Sequence, residues 1–148
     1  MLRKRYIDTT KLIVDVNELE LINETQVLVY HEDKWYNEVI VDLEGQEEKF
    51  IELKSHIVFI AKNLCKLDSM AQHYSVLHGD SKFVDDYEIA YIRLVELDEV
   101  SLTYYGIQEN TEFDVVFQCV DSGFLLKSFG SIKNIASDWD KISSTFIS

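Results

Sequence analysis

The four histidines are the residues best suited to metal binding or acid–base chemistry, because imidazole ligates metals and titrates near neutral pH. They are His31, His56, His73 and His78. None belongs to a His-x-His pair. No two of them lie three or four residues apart, the spacing that puts two side chains on one face of a helix. The histidines therefore predict no metal site.

Carboxylate pairs could bind calcium, and serines beside glycines could act as hydrolase nucleophiles. The acidic pairs at 47–48 and 85–86 lack the alternating oxygen ligands, with Gly at the sixth position, that define a calcium loop. The segments 78–81 and 121–123 contain no Gly-x-Ser-x-Gly nucleophile elbow. The five glycines form no phosphate-binding loop. We therefore predict no catalytic residue and no cofactor, and a protein that is not an enzyme.

The chain also has two cysteines, Cys65 and Cys119, whose thiols could be reactive. Two are too few for a disulfide scaffold. Both lie in apolar surroundings, where a free thiol packs as a small hydrophobe. Neither has the basic neighbours that would lower its pKa and make it reactive.

The formal net charge of −13 is the most unusual bulk property of the chain. Proteins that bind nucleic acid neutralise phosphates with Lys and Arg, so direct contact with DNA or RNA is disfavoured. Anionic membrane surfaces are disfavoured for the same reason. A basic protein partner is favoured through complementary potential. The alternative is that the acidity only maintains solubility.

Length and hydropathy indicate one domain over residues 1–148. The chain is long enough to bury a hydrophobic core. No apolar run approaches the length of a membrane span, and the basic residues at 3–5 are not followed by an uninterrupted apolar region. We expect a cytoplasmic protein.

Four runs of alternating side chains predict a C-terminal, four-stranded antiparallel meander at 87–96, 99–105, 112–120 and 124–129. A period of two places successive side chains on opposite faces of a sheet. β-Branched and aromatic residues dominate all four runs. The connections are short, so neighbouring strands must run antiparallel.

The N-terminal part predicts further strands at 11–16, 27–30 and 35–43, although 35–43 also fits helical spacing. Residues 47–78 predict an amphipathic helix. A single helix of that length would be about 48 Å long at ~1.5 Å per residue, so we expect a break near 66–68, with Asp68 capping a second helix. A coiled-coil dimer is the alternative. The apolar stripe consists of Phe50, Leu53, Ile57, Ile60, Leu64, Leu67, Ala71 and Tyr74.

The predicted fold is therefore α+β. A mostly antiparallel sheet, made of the C-terminal meander plus N-terminal strands, packs against a long or broken central helix. A short C-terminal helix over 131–148 completes the prediction, with Ser137 as a candidate N-cap.

One part of the sequence resembles a known group of proteins. The segment 100–106, Val-Ser-Leu-Thr-Tyr-Tyr-Gly, is followed by Glu-Phe-Asp-Val-Val-Phe at 112–117. Together they resemble the C-terminal hairpin of small acidic bacterial proteins, some of which are immunity proteins beside polymorphic toxins. The resemblance implies protein binding and supplies no catalytic residue.

We predict a non-enzymatic protein-binding domain, of the immunity type, whose partner is a basic, toxin-like protein. Tyrosine is favoured at interfaces because it combines a large apolar body with a polar tip. One alternative is a small-molecule binder or enzyme whose site assembles from residues distant in sequence. Another is a homodimer formed through the helical stripe or an edge strand. The candidate contact residues are Tyr91, Tyr104, Tyr105, Glu109, Asp114 and Asp121.

Overall fold

The computed structural model describes residues 9–32, 37–43, 45–77, 87–96, 98–106, 111–120 and 123–130. It is an α+β fold in which one mostly antiparallel sheet packs against two helices, as the sequence predicts. The described strands are β1 (Gln26–Glu32), β2 (Asn37–Asp42), β3 (Tyr87–Glu96), β4 (Glu99–Gly106), β5 (Thr111–Val120) and β6 (Gly123–Phe129).

The six strands lie side by side in chain order, so one continuous sheet contains both the N-terminal and the C-terminal strands. Every neighbouring pair is antiparallel except β2 and β3, which run parallel. A parallel pair needs a long crossover connection. Here the crossover carries both helices, which therefore cover one face of the sheet. The segment 35–43, ambiguous in sequence, contains the strand Asn37–Asp42.

The helical region is divided into α1 (Phe50–Lys62) and α2 (Leu64–Leu77). The predicted break near 66–68 is wrong, since the helix is interrupted at Asn63. The Asn63 side chain donates to the carbonyl of Phe59 at 2.8 Å, which is the local side-chain bonding that competes with a regular helix. Asp68 is not a cap but lies buried within α2.

The predicted apolar stripe is the buried face of both helices. Seven of its eight members are buried, and Phe50 is half-buried against the core. They pack within the chain against side chains of the sheet such as Ile92, Leu102 and Phe117. In the described structure this stripe belongs to the core of one chain, and not to an exposed coiled-coil seam.

The strand predicted over 11–16 is wrong. Two short 3-10 turns, Thr9–Lys11 and Val16–Glu18, occupy this region instead. The carboxylate of Asp15 accepts a hydrogen bond from the Asn17 amide at 2.9 Å and caps the second turn, which diverts the backbone from an extended path. A single bridge to β1, between Leu12 and Tyr30, remains.

The predicted C-terminal helix at 131–148 lies outside the described residues. None of the helices that the structure describes is long and apolar enough to cross a bilayer.

Candidate binding surface on the outer sheet face

The sheet has two faces with different surroundings. On β4, Val100, Leu102 and Tyr104 point towards α1 and α2 and are fully buried. The alternate residues Ser101, Thr103 and Tyr105 point to the opposite side, as the period of two requires. We call this second side the outer face. Its described side chains are Gln26, Leu28, His31, Glu38, Ile40, Asp42, Glu88, Tyr91, Arg93, Glu99, Ser101, Thr103, Tyr105, Glu112, Asp114, Val116, Gln118, Leu125, Lys127 and Ser128.

Three of the six predicted contact residues lie together on the outer face. These three are Tyr91, Tyr105 and Asp114. Tyr91 on β3 is paired with Thr103 on β4, and Thr103 is paired with Asp114 on β5. Tyr105 lies two residues further along β4, opposite Glu112. Tyr91, Tyr105 and Asp114 are half-buried, so each keeps part of its side chain accessible to a partner.

Tyr104 is a correction to the predicted contacts. Its side chain is 0% exposed and faces the helices. Its hydroxyl donates a hydrogen bond of 2.7 Å to the buried carboxylate of Asp68, which also accepts from the Gln72 amide at 2.8 Å. Tyr104 therefore belongs to the core. The remaining predicted contacts, Glu109 and Asp121, lie outside the described residues.

A short network fixes the middle of the outer face. Arg93 on β3 donates to one oxygen of Asp114 on β5 at 3.1 Å, and the Thr103 hydroxyl donates to the other oxygen at 2.6 Å. These bonds link three neighbouring strands. Hydrogen bonds to a charged group are shorter and stronger than neutral ones, so this carboxylate is held in a defined position.

The outer face is strongly acidic, whereas the helical layer, residues 47–77, has no net charge. The described outer face carries six carboxylates (Glu38, Asp42, Glu88, Glu99, Glu112 and Asp114) and two permanent cations, Arg93 and Lys127. Both cations form ion pairs with outer-face acids, Arg93 with Asp114 and Lys127 with Glu99. Residues 47–77 contain four carboxylates and four lysines. Among the described residues, the outer face therefore carries a net negative charge that the helical layer lacks.

A shallow cavity of about 500 Å³ opens on the outer face over β1, β2 and β3. Its lining combines apolar groups, an aromatic ring and charged side chains from three strands. This size falls within the usual range of small-ligand sites. The lining residues are Gln26, Ile40, Asp42, Ala90, Tyr91 and Arg93.

The perturbed titratable groups do not form an acid–base site. Burial lowers the pKa of His56 on α1. Burial, with the negative charges of Asp68 and Asp98 as lesser causes, raises the pKa of the thiols of Cys65 and Cys119 respectively. A raised thiol pKa disfavours the nucleophilic thiolate. Among the described residues, no three His, Cys, Asp or Glu side chains are grouped to hold a metal ion.

Sequence reasoning missed two parts of this surface. Asp42 and Arg93 were not predicted as contacts, although the alternation of Val39 and Val41 with Ile40 and Asp42 could have placed Asp42 on a solvent-facing side. The parallel pairing of β2 with β3 brings Asp42 into register with Arg93. This pairing depends on the crossover, which no local pattern reveals.

The second missed part is the segment 12–25, which follows the edge of β1. It contains no lysine or arginine, and its exposed acids lie near exposed apolar side chains. The absence of basic residues there was visible in the sequence. The exposed acidic and apolar residues of this segment are Val14, Asp15, Glu18, Glu20, Leu21, Ile22 and Glu24.

Comparison of the chain with models of protein families, with curated proteins and with solved structures gave no match.

Proposed function

We propose that this chain is a non-enzymatic protein-binding domain that holds a positively charged protein partner on the outer face of its sheet. More specifically, we propose that the chain is an immunity-type protein that neutralises a basic toxin. The single observation that carries the proposal is the uneven distribution of charge: the described outer face has an excess of carboxylates, whereas residues 47–77 are neutral overall.

Charge alone would steer a basic partner to this side, because complementary potentials raise the rate of association and select the orientation. Two half-buried tyrosines, Tyr91 and Tyr105, add apolar contact area within the acidic surface. Tyrosine and arginine are enriched among the residues that dominate binding energy at interfaces. A basic partner would supply the arginines, and this chain the tyrosines and carboxylates.

A cytoplasmic location is part of the same proposal. Both cysteines are unpaired, which agrees with a reducing compartment.

The proposal is tested by affinity capture from the native host, followed by reconstitution with the purified partner. We expect a stoichiometric complex with a basic protein, whose Kd rises steeply between low salt and about 0.5 M salt because screening shortens the range of surface charges. Failure to reconstitute any complex, or a Kd that does not change with salt, would contradict the proposal.

Small-molecule binding is the second candidate, and the cavity over β1–β3 is the observation that favours it. Its opening onto the sheet surface and its single aromatic ring fit a protein side chain as well as a free ligand. A metabolite that co-purifies in a one-to-one ratio and occupies this cavity would favour the second candidate over the first.

A further inference from the structure

One edge of the sheet, at β1, is accompanied by a segment of the chain that has a surface of its own. We call residues 12–25 the edge segment. It contacts β1 twice, through a bridge between Leu12 and Tyr30 and a second bridge between Leu21 and Val27. Both contacts fall within positions 27–30 of β1, so the two arms of the edge segment converge on the same part of that strand.

The backbone of the edge segment is held in place at several points. The carboxylate of Asp15 caps the 3-10 turn Val16–Glu18, and that turn lies against α1. Leu19, the next residue, is buried in the core. Near the other end, the amide of Thr25 donates to the side-chain oxygen of Asn23 at 2.9 Å. A partner that binds a surface fixed in this way loses less free energy to ordering it.

The surface of the edge segment combines apolar side chains with uncompensated acidic residue types. Val14, Leu21 and Ile22 are 40%, 41% and 48% exposed. The four acidic residues of the segment are exposed as well, and the segment contains no lysine or arginine. Exposed apolar surface with a polar rim is typical of interaction sites. The acidic residues are Asp15, Glu18, Glu20 and Glu24.

We propose that the edge segment binds a basic, amphipathic segment of the partner. The apolar side chains of that segment cover Val14, Leu21 and Ile22, and its lysines or arginines face the surrounding carboxylates. The inference rests on the proposed function, because it gives the partner of the outer face a second contact at the β1 edge. Charge complementarity identifies the occupant, since only a basic segment gains from four carboxylates around an apolar centre.

Other occupants fit the edge segment less well. A second copy of the chain would bring two sets of four carboxylates together, and like charges at an interface cost free energy. An uncharged apolar partner would remove water from the carboxylates without supplying a counter-charge. An anionic membrane surface would repel them.

The test uses a defined probe and does not require the partner. The uniformly ¹⁵N-labelled full chain is titrated with an amphipathic leucine–lysine peptide of about 14 residues, and amide shifts are followed by NMR. One matched peptide has serine in place of leucine, and another has glutamate in place of lysine. We expect saturable shifts at residues 14–24 with the leucine–lysine peptide, affinity there about fivefold lower for the serine peptide because the apolar contact is lost, and no binding of the glutamate peptide.

A matched pair of double variants tests the apolar contact. Val14→Ser with Ile22→Ser removes two exposed apolar side chains from the edge segment, and we expect about fivefold weaker binding of the leucine–lysine peptide. Val76→Ser with Ile51→Ser makes the same chemical change at exposed positions of the two helices and should change binding less than about twofold. Urea unfolding of both double variants checks that each remains folded.

A second matched pair tests the charges. Glu18→Gln with Glu20→Gln removes two carboxylates from the edge segment and should weaken binding there about threefold. Glu48→Gln with Glu52→Gln changes the net charge by the same amount at exposed positions of the helical layer. We expect that pair to change binding at the edge segment less than about 1.5-fold, because salt screens distant charges.

Three results would overturn the inference: equal losses within either matched pair, equal affinity of the serine and leucine–lysine peptides, or shifts confined to the outer face. Sedimentation of the unmodified chain tests a second copy as the occupant. We expect no dimer that involves the edge segment. A concentration-dependent dimer that Val14→Ser with Ile22→Ser abolishes would place a second copy there and would also overturn the inference.

Failure of the inference is separable from failure of the proposed function. If Glu112→Gln with Asp114→Asn weakens a reconstituted complex with a basic partner and Val14→Ser with Ile22→Ser does not, the contact at the edge segment is wrong and binding to the outer face stands. If the leucine–lysine peptide binds the edge segment but no basic protein forms a complex with the chain, the proposed function fails instead.

Discussion

Tyr104 and Tyr105 are neighbours on β4, yet the sheet gives them opposite surroundings. Tyr104 is enclosed between the sheet and α2, and its hydroxyl donates to the buried carboxylate of Asp68. Tyr105 is half-buried on the outer face, opposite Glu112. The same residue type thus stabilises the core at one position and contributes to a candidate binding surface at the next. The difference follows from strand geometry alone, since adjacent side chains point to opposite faces.

The two faces of the whole sheet differ in the same way. On the helix side, aromatic rings form a continuous cluster in which Phe113 contacts Tyr87, Tyr104 and Phe129 at centroid distances of 5.0 to 6.0 Å. On the outer side, the central side chains Ser101 and Thr103 are small and polar, and charged residues surround them. The helix-side face is packed with apolar and aromatic side chains, whereas the centre of the outer face consists of buried polar side chains, Ser101 and Thr103.

The largest expected effect compares the two faces at one strand. Leu126 is 0% exposed on the helix side of β6, and Leu125 is half-buried on the outer side. Leu126→Ala should lower the free energy of unfolding by about 3 kcal/mol, because it leaves a cavity in a packed core. Leu125→Ala should cost less than about 1 kcal/mol. Urea unfolding measures both, and equal losses would show that the two faces are packed alike.

The hydroxyls of two tyrosines give the next comparison. Tyr104→Phe removes a donor to a buried carboxylate and should lower the free energy of unfolding by about 2 kcal/mol. Tyr91→Phe removes a hydroxyl from a half-buried position on the outer face and should change it by no more than about 0.5 kcal/mol. Thermal and urea unfolding of both variants provide the measurement. A larger loss for Tyr91→Phe would reverse the assignment of core and surface.

A close contact at the end of β4 belongs to the helix-side face. A Cβ atom built on Gly106 would lie 2.6 Å from the ring of Tyr87, its register partner on β3. Gly106→Ala should therefore cost about 1–2 kcal/mol of unfolding free energy, as overpacking does. In a Tyr87→Ala background the same substitution should cost much less, because the opposing ring is gone. Additive losses in the double variant would disprove the contact.

The smallest effect concerns pH. His56 on α1 is half-buried, and burial lowers its pKa from 6.5. The unfolded chain then binds a proton more readily than the folded chain, so stability falls as the pH decreases through about 6.5. His56→Leu should reduce this decline between pH 7.5 and pH 5.5, measured by urea unfolding at both values. An unchanged pH dependence would assign the decline to other groups.

Much of the fold could be predicted because it depends on local patterns. The alternation on β3–β6 and the three-four spacing of the stripe reflect which side chains meet the core, and both are visible in sequence. The position of the helix break could not be predicted, because the Asn63 side chain interrupts the helix through a hydrogen bond that composition does not reveal. The strand predicted over 11–16 was wrong for the same reason, because the Asp15 side chain caps a turn within an alternating run.

The candidate site was less predictable than the fold. Alternation alone separates Tyr104 from Tyr105, but it does not say which of the two faces the helices. That choice depends on where the crossover places α1 and α2. Asp42 joins Arg93 only through the parallel pairing of β2 with β3, which brings together residues about 50 positions apart in the sequence.

The central claim is that a basic partner binds the outer face and does not merely respond to net charge. It is tested most directly by comparing the Kd of the reconstituted complex for two double variants that each remove two negative charges. Glu112→Gln with Asp114→Asn changes the outer face, and Glu48→Gln with Glu52→Gln changes exposed acids at the start of the helical layer. The account predicts at least about tenfold weaker binding for the first pair and less than about twofold for the second. Equal weakening by the two pairs would contradict it.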